Sequence, residues 1–368
     1  MPDEVKLGII GVGQIGESHL RRYQSVPNAK VVAVCDVDEQ RVQDMAEQYE
    51  VPETFTDFRE LLEIDGIVAV DVCLHNNLHA PVATAAMEAG KHVYSEKPLA
   101  GSYVDAKGMV ERSRRTGRML SMQLGSLFRN ETKAAKRLID DGHLGHIYYA
   151  KSSHYRRRGR PFVDGYGTSS FVKKHVAAGG ALFDMGVYSI SQILYLLGNP
   201  DVLTVCGATH QEIDMYEGRR QESQYDVEEL GLGLVRLDGG VTFFIEEAWA
   251  IHLAGTDGSK VVGARGGVSL SPFAFHTTVS DMEMDAAFDL GGADTRWGRV
   301  FPEEAAAHRG AQDHWVAALR GKAELIPTAE IGLNTMLISE GIYLSQQMGR
   351  EVTAAEVEGN SVSTALSV

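Results

Sequence analysis

The chain has 368 residues, enough for about two domains of ordinary size. With 44% hydrophobic and 23% charged residues it has the balance of a globular protein that can bury a normal core. Its 35 basic residues against 50 acidic ones give a formal net charge of -15, which argues against nucleic acid as a partner, because phosphate binding needs a basic face. The three cysteines, Cys35, Cys73 and Cys206, form no CxxC pair and no zinc spacing. Cys35 and Cys73, in apolar runs, read as small buried hydrophobes, and a reducing compartment is the simple inference. Met1-Pro2-Asp3-Glu4 leads straight into a strand-like run with no basic and apolar leader, and no apolar stretch approaches the ~18 residues of a membrane span. A cytoplasmic protein that enters no membrane is expected.

The first 125 residues alternate strand and helix signals. A strand over Lys6–Ile10 meets a helix from about Gly13 to Ser25. Ala29–Asp36 is a second strand, Glu39–Tyr49 a helix, and Phe58–Leu62 a short helix. Gly66–Leu74 is a buried strand, His79–Ala89 a helix stopped by Gly90, His92–Ser95 a strand, Val104–Thr116 a helix and Met119–Gly125 a strand. Near-continuous apolar strands alternating with helices are the signature of a parallel sheet covered on both faces. The pattern then changes. A helix over Glu131–Asp141 and a strand over His146–Tyr155 precede a basic loop, Arg156–Gly167, and an apolar helix from about Gly180 to Leu197. Period-two strands follow at Val202–His210, Glu229–Leu237, Val241–Trp249 and Ser259–Leu270, as in a mostly antiparallel sheet. Residues 284–300, rich in Gly and Asp, read as an irregular loop. Helices return over Glu303–Leu319 and Ala329–Met348, and Gly359–Val368 reads as a loose tail. The expected division is an α/β domain over residues 1–126 and an α+β domain over 127–368.

Gly11-Val12-Gly13-Gln14-Ile15-Gly16 is a GxGxxG match between a strand and a helix, and Asp36 follows Gly16 by 20 residues at the end of the second strand. In this dinucleotide-binding (Rossmann) arrangement Gly11 permits the tight turn and Gly13 the approach of a pyrophosphate to the helix N-terminus. Gly16 allows close helix–strand packing. The Asp36 carboxylate would accept from the ribose hydroxyls and repel a 2′-phosphate, so NAD is expected. Arg41 and Lys30 leave NADP open. Glu96-Lys97-Pro98 ends the fifth strand, where ligands bind in such sheets. Asp184, Tyr188, Ser191 and Tyr195 form one polar stripe on an otherwise apolar helix. No His, Asp and Glu cluster has metal-ligand spacing, so no metal is expected. His19, one turn into the first helix, reads as structural or near phosphate, and His314 and Trp315 as packing residues.

With these residues in view the chain resembles the Gfo/Idh/MocA oxidoreductases over nearly its whole length. The resemblance rests on Gly11–Gly16, on Asn76-Asn-Leu-His79, and on Ala89-Gly-Lys-His-Val-Tyr-Ser-Glu-Lys-Pro98. It continues in Gly179-Gly-Ala-Leu-Phe-Asp184-Met-Gly186-Val-Tyr188, in Pro327 with Glu330, and in Gly349-Arg-Glu-Val352. It implies cofactor contacts from Gly11, Gly13, Gln14, Ile15, Gly16, Asp36, Asn76, His79, Glu96, Lys97 and Gln123. The family's later motif usually reads Asp-x-Gly-x-His-x-x-Asp, with the histidine as proton acceptor. Here Tyr188 and Ser191 replace the histidine and the last aspartate. The branch with glucose-fructose oxidoreductase and dihydrodiol dehydrogenases also carries tyrosine there. Leu74-His75 replaces a common Thr-Pro before the asparagine.

The resemblance implies a dehydrogenase acting on a sugar, sugar derivative or cyclic polyol, with Tyr188 as general acid/base, Lys97 as its activator and Asp184 as the orienting group. Arg158, Tyr166 and His175 are candidate substrate contacts. The basic run His154-Tyr-Arg-Arg-Arg158-Gly-Arg160 also reads as a solvated loop. A homodimer or homotetramer is the family-based expectation. A redox-elimination glycosidase and a cofactor-sensing regulator without turnover are the alternatives.

Overall fold

The computed structural model describes residues 4–368, so Met1–Asp3 of the expected leaderless start lie outside the described residues. The chain divides into two compact units: Met1–Leu124 with Trp297–Glu330 and Ser363–Val368, and Gly125–Arg296 with Ile331–Val362. The expected boundary near residue 126 falls close to the first crossing. The expectation of one contiguous second domain does not hold. Trp315, Val316 and Leu319 of the helix Ala311–Leu319 join the core built by Val5, Leu7, Ile9 and Val34. Ser363–Val368 of the expected tail also belong to the first unit and are not loose. Ser363 Oγ and the Thr364 N–H donate to the Asp105 carboxylate at 2.6 and 2.9 Å, and the Leu366 N–H donates to the Asn77 carbonyl at 3.1 Å.

The first unit holds six strands: β1 (Val5–Ile10), β2 (Ala29–Cys35), β3 (Glu53–Phe55), β4 (Ala69–Val72), β5 (His92–Ser95) and β6 (Leu120–Met122). They are all parallel, in the order β3-β2-β1-β4-β5-β6. The strand β3 escaped the pattern because three residues carry no period. The strands read as apolar runs because helices cover both faces, and every residue of β4 is buried, Asp71 included. The helices occupy Gln14–Tyr23, Glu39–Tyr49, Phe58–Leu62, Asn76–Glu88 and Tyr103–Thr116. Local chemistry sets their ends. The Asp38 and Ser102 side chains accept from the Arg41 and Asp105 N–H groups, and Gly117 ends its helix in the left-handed conformation. The strand order reverses between β1 and β4, and the crevice at their carboxyl ends is where such sheets take ligands.

The second unit is built on nine strands: β7 (Ile147–Tyr155), β8 (Val202–His210), β9 (Leu230–Leu237), β10 (Thr242–Ala248), β11 (Lys260–Gly263), β12 (Gly267–Leu270), β13 (Phe273–Val279), β14 (Met282–Ala286) and β15 (Val352–Thr353). Their order is β14-β13-β12-β11-β7-β10-β9-β8-β15, and only β7 and β10 pair in parallel. Three expectations need correction. The strand over Ser259–Leu270 is a hairpin that turns at Ala264-Arg265-Gly266. Residues 284–300 are the end of β14 and a helix, Leu290–Val300, whose start is held by the Asp289 carboxylate accepting from the Gly292 N–H at 2.9 Å. The helix expected over Glu303–Leu319, in the first unit, breaks into Pro302–Ala307 and Ala311–Leu319 at an extended Gly310. Among the described residues no helix is long and apolar enough to cross a membrane.

Candidate active site

In the first unit the glycine loop has the geometry its residue types imply. Gly11 has φ +92°, and a Cβ there would lie 2.4 Å from the Cys73 carbonyl oxygen. At Gly16 a Cβ would lie 1.9 Å from the Gly11 carbonyl oxygen, which is the close helix–strand approach the motif predicts. At Gly13 a Cβ would meet nothing, and Gly13, Gln14 and Ile15 stand exposed at the start of the helix Gln14–Tyr23. This open N-terminus, with unpaired N–H groups and the positive end of the helix dipole, suits a pyrophosphate.

The Asp36 carboxylate accepts from the Val12 N–H at 2.8 Å and the Asp38 N–H at 3.2 Å, so it is fixed beside the loop. The Arg41 guanidinium is engaged within the chain. Its Nε donates to the Val12 carbonyl at 2.8 Å and its guanidinium to Glu17 at 3.0 Å. Lys30 lies at the other end of β2, roughly 20 Å away at ~3.3 Å per residue. Both features favour NAD. Asn76 opens the helix after β4. Beyond β6, the Gln123 N–H donates to the Ser95 carbonyl at 2.8 Å, and its buried Oε1 has no partner among the described residues. A bound amide or hydroxyl group suits that oxygen.

Two of the expected cofactor contacts brace the chain. His79 is fully buried with Nδ1 2.8 Å from the Pro98 carbonyl and Nε2 3.0 Å from the Leu74 carbonyl, so both nitrogens face the protein. The Glu96 carboxylate is turned inward, with one oxygen 2.9 Å from His19 Nε2 and the other accepting from the Lys97 N–H at 2.9 Å. The Lys97 side chain is half-buried.

In the second unit the expected apolar helix begins as a π turn, Leu182–Gly186, which runs into an α-helix, Val187–Leu196. Such turns occur mostly as single insertions, often at functional sites. The turn carries Asp184, and Tyr188 follows it at once. Both are half-buried. Asp184 accepts a hydrogen bond from the indole Nε1 of Trp249 at 2.9 Å, and Trp249 itself is 0% exposed. The start of the turn is held by the buried Glu228 carboxylate, which accepts from the Gly180 and Leu182 N–H groups at 2.8 and 2.9 Å. A Cβ at Gly180 would lie 1.9 Å from the Glu228 carbonyl oxygen, so this approach needs glycine. Beneath Gly186 lies Glu247, bonded to Ser152 and pushed up to about 8 by burial.

The polar stripe does not continue past Tyr188. Ser191 is buried against Thr335 at 2.9 Å, and Tyr195 lies over Lys136.

The arginine run is divided in its tasks rather than uniformly solvated. Arg160 is 0% exposed, pairs with Asp164 and Glu229 at 2.9 Å each, and donates to the Ile213 and Asp214 carbonyls, so it is a structural clamp. The Arg156 guanidinium stacks 5.4 Å from the Tyr166 ring centroid and bonds its hydroxyl. Burial, with the Asp184 carboxylate nearby, pushes Tyr166 up to about 12 against the pull of Arg156. That interaction puts Tyr166 in the neighbourhood of Asp184. Arg158 is exposed and lies over Tyr216 at 5.5 Å, and His175 is exposed on the short helix Lys174–Ala177. Sequence reasoning missed Trp249, Glu228 and Asp71. For Asp71 the signal it could have used is a lone acidic residue inside an apolar strand.

The profile of an oxidoreductase family with an NAD-binding Rossmann fold matches residues 5–124, and the GFO/IDH/MocA C-terminal domain matches residues 132–269. A D-glucoside 3-dehydrogenase of Escherichia coli (strain K12) is 26% identical over 356 residues, 95% of this chain and 97% of that protein. A scyllo-inositol 2-dehydrogenase (NAD(+)) of Bacillus subtilis is 27% identical over 292 residues, 79% of this chain and 80% of its own length. Among solved structures, a levoglucosan dehydrogenase in complex with NADH and levoglucosan has the same fold, with a TM-score of 0.74 at 18% identity, covering 95% of this chain and 99% of that one. With its glycine loop, its Glu96-Lys97-Pro98 and its Asp184-to-Tyr188 turn set in both domains of the family, the chain belongs to the GFO/IDH/MocA oxidoreductases.

Proposed function

We propose that the chain is an NAD-dependent dehydrogenase or reductase that moves hydride between nicotinamide and a secondary alcohol or hemiacetal carbon of a sugar, sugar derivative or cyclic polyol. The observation that carries this reading is the half-buried Asp184 carboxylate, fixed by Trp249 on a π turn that runs straight into Tyr188. The glucoside dehydrogenase match along 95% of the chain supports the substrate class. The relatives named above are dehydrogenases, and no feature of the chain favours the glycosidase or the regulator.

Oxidising an alcohol removes the hydroxyl proton as hydride leaves carbon. Bound NAD supplies the hydride acceptor, and the chain's own residues manage the proton and the orientation. Tyr188 is the proposed acid/base. A free tyrosine titrates near ~10 and is a poor base at neutral pH. In the proposal the Lys97 ammonium favours tyrosinate and anchors the hydroxyl, while Asp184 orients substrate and lysine. Gly13, Gln14 and Ile15 would hold the pyrophosphate, and Asp36 the ribose. Tyr166 is the best-supported substrate contact, since the Asp184 carboxylate acts on it, and Arg156 holds its ring and hydroxyl. Arg158 and His175 are weaker candidates. The proposal includes a cytoplasmic homodimer or homotetramer, which the family likeness supports.

The test is a panel of sugars, inositols and dihydrodiols with NAD or NADP, followed by absorbance of the reduced nicotinamide, repeated with Tyr188→Phe and Lys97→Ala. Turnover of one class with NAD, lost in both variants, is expected. Full activity in Tyr188→Phe would remove that residue as the base, and NAD binding without turnover of any alcohol would sink the dehydrogenase reading.

A further inference from the structure

We propose that His19 is a positioning residue for Lys97, acting through simultaneous hydrogen bonds to Asp71 and Glu96. This rests on the role of Lys97 proposed above. Three elements of the first unit meet at the ring. The helix Gln14–Tyr23 supplies His19, β4 supplies Asp71, and the residue after β5 is Glu96. His19 Nδ1 lies 2.8 Å from Asp71 Oδ2, and Nε2 lies 2.9 Å from Glu96 Oε1. The three residues are 5%, 0% and 7% exposed. A carboxylate only accepts hydrogen bonds, so satisfying both requires both ring nitrogens to donate, which makes the ring an imidazolium.

The electrostatics agree with that geometry. Burial alone would lower His19, but the charge and hydrogen bond of Asp71, together with the contact to Cys73, outweigh it and hold the ring well above its ordinary value. Burial alone would raise Glu96, but the hydrogen bond and charge of His19, then the charge of Lys97, hold it below its ordinary value. The other titratable groups facing the ring are neutral. Cys73, whose Sγ is 3.4 Å from Nδ1, is pushed up to about 12 by burial, and buried Tyr23 and Tyr94 are raised well above the ordinary phenol. What remains is a series of alternating charges leading out from the sheet interior: Asp71, His19, Glu96, Lys97. At its outer end Glu96 is tied to Lys97 twice, as its carboxylate accepts from the Lys97 backbone N–H at 2.9 Å and the Lys97 charge helps hold it ionised. An unpaired carboxylate pair at this depth would be costly, so the imidazolium keeps Glu96 ionised and fixed. It thereby sets the position of Lys97 and the field at its amine.

The experiment reads that field without any substrate. The amine of Lys97 is titrated by competitive acetylation with acetic anhydride between pH 7 and 11, quantified by mass spectrometry of its peptide, in the full-length protein. His19→Gln removes a cation, and through the alkaline range where Lys97 titrates the Glu96 carboxylate, still bonded to the Lys97 backbone N–H, acts on the amine unopposed. The Lys97 midpoint is therefore expected to rise by about one unit, a roughly tenfold drop in labelling at pH 8, with the other lysines unmoved. Asp71→Asn, which discharges His19 from behind, shifts Lys97 the same way and serves if His19→Gln does not fold. A merely structural histidine would lower the melting temperature and leave the Lys97 titration in place, which overturns the proposal. So would a stoichiometric metal found by elemental analysis and lost in His19→Gln, since the donor atoms of His19, Asp71 and Cys73 lie within 4.8 Å of one another. An active Lys97→Ala enzyme refutes the catalytic reading instead, and the labelling result stands apart from it.

Discussion

Trp249→Phe tests whether Asp184 works as an oriented group. The indole nitrogen is 2.9 Å from Asp184 Oδ2, and the ring has no exposed surface, so no water can take its place without rearrangement. Phenylalanine keeps the six-membered ring in the same slot and deletes the donor. A hydrogen bond to a charged group is worth about 1.5–3 kcal/mol. At ~1.4 kcal/mol per factor of ten, kcat/KM should fall by roughly 10- to 150-fold if the bond is needed in the transition state. The stability cost of the smaller ring should stay below about 3 kcal/mol, under the range for full truncation of a buried aromatic. Initial rates at saturating NAD, well below the melting temperature, separate the two effects. The control is the same substitution in Asp184→Ala, where the indole has no carboxylate to hold and the further loss should be under about twofold. If Trp249→Phe keeps kcat/KM within twofold while Asp184→Ala loses it, the indole does not orient the carboxylate and the reasoning fails.

Two further outcomes are expected. Asp36→Asn keeps an amide oxygen for the Val12 N–H but removes the charge that repels a 2′-phosphate, so the preference for NAD over NADP should shrink about tenfold or more in fluorescence titrations of both nucleotides. An unchanged preference would show that Asp36 does not face the ribose. Burial keeps Glu247 protonated up to about 8 in the folded protein, against 4.5 ordinarily, so the folded state binds a proton that the unfolded chain has released. Stability should therefore fall by about 1.4 kcal/mol per unit as pH rises between those values and level off above. Glu247→Gln should be flatter than the native protein by that slope in urea melts at pH 5, 6.5 and 8, and parallel curves would contradict it.

The first unit could be read from sequence because its chemistry is local. The GxGxxG loop, its strand and its helix are contiguous, and Asp36 follows at a spacing set by one helix and one strand. The same locality explains the errors elsewhere. Leu290–Val300 was missed because Gly291, Gly292 and Gly298 weaken helix propensity, while the Asp289 carboxylate that starts the helix leaves no periodic mark. The strand Ser259–Leu270 kept its alternation through a tight turn, so nothing in the pattern announced the hairpin. Helix Gly180–Leu197 was read in the right place, but a π turn changes the hydrogen-bond ladder without changing residue types.

The parts of the candidate site that escaped are pairings across distance. Asp184 and Trp249 are 65 residues apart, His19 and Asp71 52, His19 and Glu96 77, and Arg160 and Glu229 69. Periodicity tells which face of a strand or helix is buried and says nothing about which distant group meets it. Yet the need for a partner was visible. Asp71 sits in Ala-Val-Asp-Val, a strand covered on both faces, and Glu247 in Phe-Ile-Glu-Glu-Ala beside the parallel pair. A carboxyl there must be neutralised by a cation, bonded by donors or held protonated, because leaving it charged and alone costs more than a domain can spare. The two units resolve it differently. Asp71 finds an imidazole and becomes the root of a charge chain ending at Lys97, whereas Glu247 keeps its proton beneath the turn that carries Asp184. Each buried acid supports, through intervening residues, a segment that carries a group proposed to act at the substrate, so a buried acidic residue in an apolar strand marks where a fold of this kind supports its chemistry.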